Sequence, residues 1–513
     1  MRARSFTHHL LFGAAGSCLV AAAGAAALAG AAAGPGCGVN AGAGDGSGGG
    51  GLAARAPEAP GRTETAAALP PEPLPRPAPG ADIADLPAGV GAGAAAPSAS
   101  AAAGDGATPR AVVPLDLGAD RPVAAIALPS PAAGTSASFT FDEGRRGWVA
   151  TIPSGGYGIP TPAYGDGRIY VSGGFETYSF YALDAESGRT RWTHPSLEDN
   201  GPTAPVYVGG NVVFNTESCT LFVLDAKTGR TKWSKYLGDP TLSQPAVADG
   251  LIFTSYPASG QRFAAFRVKD GVEVWSRPVS AEVLSAPAIA GDSVYVTTVA
   301  GTTYRFRRSD GKLVWSRAHS ASSAPWFFDG EVFLSRTAKG SELEVALDAG
   351  TGKADRVLRS TAAPYARDVP RTLDDWRKVW AFEGSRPVIA GGRRFDTMGG
   401  EIHASDPKTG APLWIRRYTD GAGKRAMTAP AVAGAKLFFA TYGGDLYALD
   451  TDTGMTVWAY RLGVPMAFQP IVAKGWVYLT TTNGKVIGLS LADPTLDGWH
   501  MWGGNPAHNG VVL

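Results

Sequence analysis

Three cysteines in 513 residues, Cys18, Cys37 and Cys219, are too few and too scattered for a disulfide framework or a cysteine-rich metal site. Cys219 alone falls inside the patterned part of the chain, where a small buried thiol is the simplest reading. Histidine is equally thin. His8, His9, His194, His319, His403, His500 and His508 are dispersed and show no metal-ligand spacing. A Cys-x-x-Cys-His haem site, a P-loop, a Gly-x-Ser-x-Gly elbow and a dinucleotide fingerprint in a strand–turn–helix setting are all missing. So is any excess of charge. The 46 Lys+Arg against 45 Asp+Glu leave a net charge of +1, which argues against a nucleic-acid or polyanion binder.

Lysine is absent from the whole N-terminal third, and the first one is Lys227. In its place, Arg2 and Arg4 precede an uncharged run from Leu10 to Gly34. That order predicts an export signal cleaved near Ala29, or a retained anchor over residues 1–34. Lipidation at Cys18 or Cys37 is a third outcome, although both "AGSC" and "GPGC" lack the leucine expected three residues before a lipid-bearing cysteine. Residues 35–138 are dominated by Ala, Gly, Pro and Ser, as in "LPPEPLPRPAPG". Such a composition cannot bury enough apolar surface to offset its ordering entropy, so a disordered linker is predicted there.

Helical periodicity is lacking in the units that begin at residue 139, and a repeat takes its place. Units such as "APVYVGGNVVFNTESCTLFVLDAKTGRTKW" and "APAVAGAKLFFATYGGDLYALDTDTGMTVW" read as short strands between Gly-rich turns. Asp184, Asp225, Asp348, Asp406 and Asp450 can cap the last turn through their carboxylates. Gly188, Gly229, Gly352, Gly410 and Gly454 supply its positive-φ position. Trp148, Trp192, Trp233, Trp275 and Trp315 recur at intervals of 44, 41, 42 and 40 residues. The next slot falls at Arg356 or Val357, where the aromatic is lost, and Trp414 and Trp458 resume the series. Eight proline-led units follow an orphan N-terminal segment, "FTFDEGRRGWVATI". If that segment completes the last unit, the ring closes without an open edge. The prediction is an all-β, eight-bladed β-propeller over 139–495, with a C-terminal tail over 496–513 that contains Trp499. The periodic tryptophans are assigned to packing between blades.

The unit "YALDTDTGMTVW" resembles the repeat of pyrroloquinoline-quinone (PQQ)-type propellers, and the likeness extends over all eight units. That family has a branch of quinoprotein dehydrogenases and a branch of non-catalytic propellers. The second branch includes the lipoprotein propeller subunit of the outer-membrane β-barrel assembly machinery. The dehydrogenases commonly set adjacent cysteines against the quinone, and this chain has no Cys-Cys pair. A calcium-held quinone also needs convergent oxygen ligands near a catalytic Asp, and no long loop carries such a cluster. The resemblance therefore implies a monomeric, exported, periplasmic or membrane-tethered scaffold that binds protein partners in the envelope. No catalytic, cofactor-binding or metal residue is assigned, and membrane contact is confined to the N-terminus. The alternatives are a dehydrogenase using PQQ and calcium at an atypical site, and a small-ligand sensor using the central channel.

One interruption breaks the repeat. From Val357 to Pro387 the spacing is 30 residues, and the insert reads "STAAPYARDVPRTLDDWRKVWAFEGS". A short helix over 373–380 would place Trp376 and Trp380 on one face beside Arg377. With Arg367 and Arg371 these residues are the partner-binding candidates, since Trp and Arg are enriched at binding hot spots. A plug folded over the channel is the competing role. Arg393 and Arg394 add positive charge nearby in sequence. Thr203, Ser243, Ser285, Ser323, Ser385 and Thr428 each precede a unit's proline by two residues. They either cap strand starts or line the channel, and capping is the simpler assignment.

Overall fold

The computed structural model describes residues 112–512 except 157, 195–196, 198, 217–219, 239–243, 284–285, 322, 339–340, 360–386, 399, 419–426 and 509–510. Among the described residues there is no helix, and the strands form eight sheets. Blade 1 is the antiparallel meander Ala163–Gly165, Arg168–Ser172, Phe180–Asp184 and Thr190–His194. The same four-stranded plan gives blade 2 over 206–236, blade 3 over 246–278, blade 4 over 288–318 and blade 5 over 326–359. Blade 6 spans 388–417 and blade 7 spans 431–461. Blade 8 combines both parts of the chain. Its three strands Ile471–Ala473, Trp476–Thr480 and Lys485–Ser490 are completed by Arg145–Thr151, with Ile487 opposite Val149. The eight-bladed propeller is closed by its N-terminal strand, as the orphan segment predicts.

Each blade is covered on both faces by its neighbours, and this explains its residue pattern. "FYALD", "LFVLD" and "LYALD" are buried along almost their whole length, so third strands read as continuous apolar runs. Outer strands face solvent at their edge. Thr231–Tyr236 accordingly alternates between exposed and half-buried positions.

The Asp-to-Gly turn performs two tasks. Asp225 accepts the Thr228 amide at 2.9 Å and its hydroxyl at 2.8 Å, and Asp450 does the same with Thr453. The hydroxyl of Thr228 holds the Asp225 carboxyl below the usual carboxylate range, helped by the amide. Gly229 then takes a φ of 72°, which brings its bare Cα against the indole of Trp192. A Cβ there would lie 2.5 Å from the ring, so the glycine is needed for close approach as well as for φ.

Six tryptophans key one blade into the next. Trp148 of blade 8 donates its indole N–H to Ala185 O in blade 1 at 2.9 Å. Trp192, Trp233, Trp275, Trp315 and Trp414 repeat the contact onto Ala226, Val268, Arg308, Ala349 and Thr451 at 2.8–3.1 Å. Trp458 packs instead on Phe438 and Tyr460, because blade 8 has no Thr-Gly turn to receive it. Register resolves the missing slot. Arg356 pairs with Ala346 just as Trp414 pairs with Ala404, so Arg356 occupies the tryptophan position.

Three expectations need correction. The first concerns the propeller's start, expected at 139 after a linker ending at 138. Leu115–Asp116 adds a parallel strand to the outer edge of blade 6, and Ala124–Ala125 does so on blade 7. Ser136–Phe141 then pairs with Arg145–Thr151, so the expected single strand is a hairpin. The second concerns the C-terminal tail, expected to lie beyond the ring. It runs through it. The third concerns Arg394, counted among the positive charges near the insert in sequence, which is buried against Glu344 and Asp396 instead. In the first two cases open main-chain groups on sheet edges capture segments whose side chains carry little strand signal.

Candidate functional site

The central channel is lined by the inner strands, whose edge groups face the axis. The C-terminal segment fills that axis. Trp499 N–H donates to Val472 O, and Val472 N–H returns the bond at 2.8 Å. Tyr164 N–H donates to His500 O, Val247 N–H to Pro506 O, and Ile289 N–H to Ala507 O. Val511 and Val512 then pair in parallel with Ile389 and Ala390. Five of the eight blades are thus joined at their inner edges by one segment. Trp499 and His508 are fully buried, and Met501 and Trp502 nearly so. Gln469 ties this plug to the ring by accepting Gly503 N–H at 3.1 Å and donating to Pro430 O at 2.6 Å.

At its entry the segment is held by charge. Asp497 accepts from Lys474 Nζ at 2.6 Å and contacts His500 Nε2 at 2.6 Å. Burial works to raise the Asp497 carboxyl, but Lys474 and His500 outweigh it and hold it at about 2. A carboxyl lowered by folding contributes stability that is present above its unfolded value and disappears as pH falls through its folded one. Amide protection at 499–504 should therefore fall, relative to the blade cores, between about pH 4 and pH 2. Asp497→Asn should show the lowered protection already at neutral pH. Equal protection of wild type and variant at pH 7 would refute the anchoring role.

The hydroxyls of the strand starts are engaged as caps where they are described. Thr203, Ser323 and Thr428 accept the amides of Asn215, Ser335 and Ala440, each twelve residues further on, at 2.8–3.3 Å. Ser243, Ser285 and Ser385 lie outside the described residues. So do all five partner-binding candidates, Arg367, Arg371, Trp376, Arg377 and Trp380. The insert that carries them leaves blade 5 after Arg359 and enters blade 6 before Val388.

That seam differs from the other blade junctions. Arg394 of blade 6 is only 3% exposed and forms a two-point ion pair with Glu344 of blade 5, with Nη2 to Oε2 at 2.6 Å. Its Nε reaches Asp396 at 2.8 Å, and its guanidinium lies 4.7 Å from the centre of the Trp326 ring. Arg356, in the tryptophan slot, pairs with both carboxylate oxygens of Glu331 at 2.6 and 2.7 Å. Burial pushes the Glu344 carboxyl up, with partial relief from Arg394. Burial also opposes charge on Arg394, but the two carboxylates prevail and hold its guanidinium above the ordinary value. The two directions pull apart on whether the pair is ionised. The ionised form follows from the paired, two-point geometry around Arg394, which only a charged guanidinium and carboxylate satisfy fully. Sequence reading missed this cluster because Glu344, Arg394 and Asp396 look like ordinary outward strand positions. Their burial arises only where two blades meet.

Among the described residues, no three His, Cys, Asp or Glu side chains lie close enough to hold a metal ion. Main chain of the C-terminal segment bonds the inner strands along the axis where a channel ligand would lie.

Eight meanders, six of whose junctions are keyed by an indole on a glycine turn, closed by the N-terminal strand define a propeller of the PQQ-like repeat class. The chain belongs to the family described as outer membrane protein assembly factor BamB, whose model matches residues 133–244, 237–374 and 345–500. Assembly factor BamB of Burkholderia pseudomallei is 25% identical over 283 residues, covering 54% of this chain and 60% of that protein. Quinoprotein ethanol dehydrogenase of Pseudomonas putida is also 25% identical, over 188 residues, covering 35% and 23%. The chain thus spans between about a quarter and three fifths of the length of these curated relatives. BamB from Moraxella catarrhalis superposes with a TM-score of 0.50 at 15% identity, covering 69% of this chain and 98% of that one. The computationally designed Ika8 protein gives 0.53 at 14% identity, covering 66% and 98%. At these identities the structural likeness concerns the fold.

Proposed function

We propose that this chain is a protein-binding propeller of the cell envelope that takes part in outer-membrane protein assembly and carries out no chemistry. The observation that carries this reading is the filled channel: the axis that would take a small ligand is occupied by residues 499–508 and 511–512 of the chain itself. What remains for recognition is the outer surface and the loops between blades, and loops on a rigid scaffold suit macromolecular partners. The family match over 133–500 agrees with it. Export, membrane tethering through the N-terminus and a monomeric state belong to the same proposal. The partner surface is assigned to Arg367, Arg371, Trp376, Arg377 and Trp380 on the insert between blades 5 and 6.

Affinity isolation of the full chain from an envelope extract tests this. Trp376→Ala combined with Arg377→Ala should lose most of the captured partner, while the unfolding midpoint stays within the range of surface substitutions. Unchanged capture would remove the insert as the partner surface. A quinone-dependent dehydrogenase is the second reading, favoured by the match to quinoprotein ethanol dehydrogenase. Titration with PQQ and Ca²⁺ separates the two. Saturable, calcium-dependent quenching of tryptophan fluorescence would support the dehydrogenase, and a flat titration the scaffold.

A further inference from the structure

The outer edges of blades 6 and 7 are not bare. Residues 112–126 lie along them, and the contact on blade 7 has a definite chemistry. Asp120 accepts the Thr456 amide at 2.7 Å and the Thr456 hydroxyl at 2.8 Å, at the first residue of the outer strand. Ala124 and Ala125 then run parallel to Tyr460 and Arg461, and Ile126 N–H donates to Arg461 O at 2.9 Å. One acid followed by a short apolar strand is what this edge receives.

The outer edge of blade 2 has the same features, and among the described residues no strand pairs with it. Its strand Thr231–Tyr236 ends the sheet. Thr231 pairs with Leu224 as Thr456 pairs with Leu449, so the two threonines hold one register position. Tyr236 stands at the position of Arg461, where the apolar part of the bound segment lies, and is 70% exposed. The surroundings are basic. Among the described residues, Lys227, Arg230 and Lys235 have no carboxylate at ion-pair distance, and Lys232 is paired with Asp225 at 3.4 Å. The Thr231 hydroxyl contacts His194 Nε2 at 3.1 Å. Burial lowers the pKa of that imidazole. With the proton on Nε2, the neutral ring donates to Thr231 and leaves the hydroxyl hydrogen free for a carboxylate.

We propose that the outer edge of blade 2 is a docking site for an extended acidic segment of a partner protein. The segment adds as a parallel fifth strand, its leading carboxylate on Thr231 and its apolar residues over Tyr236. Strand addition supplies affinity through main-chain hydrogen bonds, and the basic flank selects acidic sequences. Blade 1 offers the matching Thr190, but its cations are balanced more closely, with Arg191 on Asp184 and Arg146 near Glu186. This inference rests on the protein-binding reading and adds a second surface, remote in sequence from the 360–386 insert.

The test uses the full chain and a synthetic peptide of residues 118–129, GADRPVAAIALP, in which Arg121→Glu makes the sequence acidic. Hydrogen exchange with bound peptide should gain protection at 231–236 and leave 190–194 and 456–461 unchanged. Raising the salt from 0.05 to 0.3 M should weaken binding by about fivefold. Arg230→Glu with Lys232→Glu in the protein should cost about tenfold, as should Asp120→Asn in the peptide, which leaves the protein untouched. Protection at 456–461 instead would mean that the peptide exchanges with the chain's own segment, and would overturn the proposal. So would the absence of protection, or binding that ignores the charge reversal. Unchanged partner capture by the insert variant, with peptide binding intact, would fault the insert alone. Intact capture without peptide binding would fault only the blade 2 edge.

Discussion

Trp148→Ala is expected to destabilise the propeller by about 3–5 kcal/mol, the range for removing a large buried aromatic side chain. Trp148 is fully buried, and two glycines frame it. Gly488 lies opposite it within blade 8, and Gly188 approaches from blade 1; a Cβ on either would come within 2.4 Å of the indole. Neither glycine has a side chain that can relax into the space left behind, so most of the cavity remains. Ala185 O also loses its donor. The site matters further because Arg145–Thr151 is the strand that closes the ring. Trp192, at the junction of blades 1 and 2, is only partly buried, and Trp192→Ala should cost less, about 2 kcal/mol. Denaturant unfolding of the two variants checks the order. Equal losses, or a loss at Trp148 below that at Trp192, would mean that the closing seam is not stabilised in this way.

Arg394→Met should be nearly as costly, at about 3–5 kcal/mol, and its cost should depend on pH. The substitution leaves Glu344 and Asp396 buried together without their cation. Without its cation the buried Glu344 carboxyl resists ionisation more strongly, so its folded pKa stays above the unfolded one. Groups raised by folding bind protons more readily in the native state, and their penalty shrinks as pH falls. The deficit against wild type should therefore narrow between pH 7 and about pH 4.5. Glu344→Gln should cost less, because Arg394 keeps Asp396 as a charged partner at 2.8 Å. Replacing all three residues by apolar ones of similar volume should recover most of the loss, since ionic clusters of this kind contribute little net stability. Unfolding midpoints measured for these variants at pH 7 and pH 5 decide it. A deficit in Arg394→Met that is independent of pH would argue against uncompensated buried carboxylates.

Much of the fold was legible because it is written in local chemistry. A turn of the Asp-to-Gly kind needs a carboxylate and a positive-φ residue at fixed spacing, and a keyed blade needs an indole a few residues later. These requirements recur around the ring, so Trp192, Trp233 and their counterparts count the blades in the sequence itself. The lost aromatic at Arg356 was legible for the same reason. The candidate site was less so. Arg394 and Glu344 are 50 residues apart, and only the meeting of two sheets turns two ordinary strand charges into a buried pair.

The amino-acid sequence by itself determined the repeat, the number of blades, the closure by the N-terminal strand and the packing role of the tryptophans. Side-chain identity specifies those features directly. Tertiary structure alone decided that residues 499–508 and 511–512 meet the inner strands at the channel, that 115–116 and 124–125 cover two outer edges, and that no described residue covers the outer edge of blade 2. Those outcomes depend on main-chain N–H and C=O groups left open at sheet edges. Every residue except proline carries both groups, so side-chain pattern does not show where they will be used.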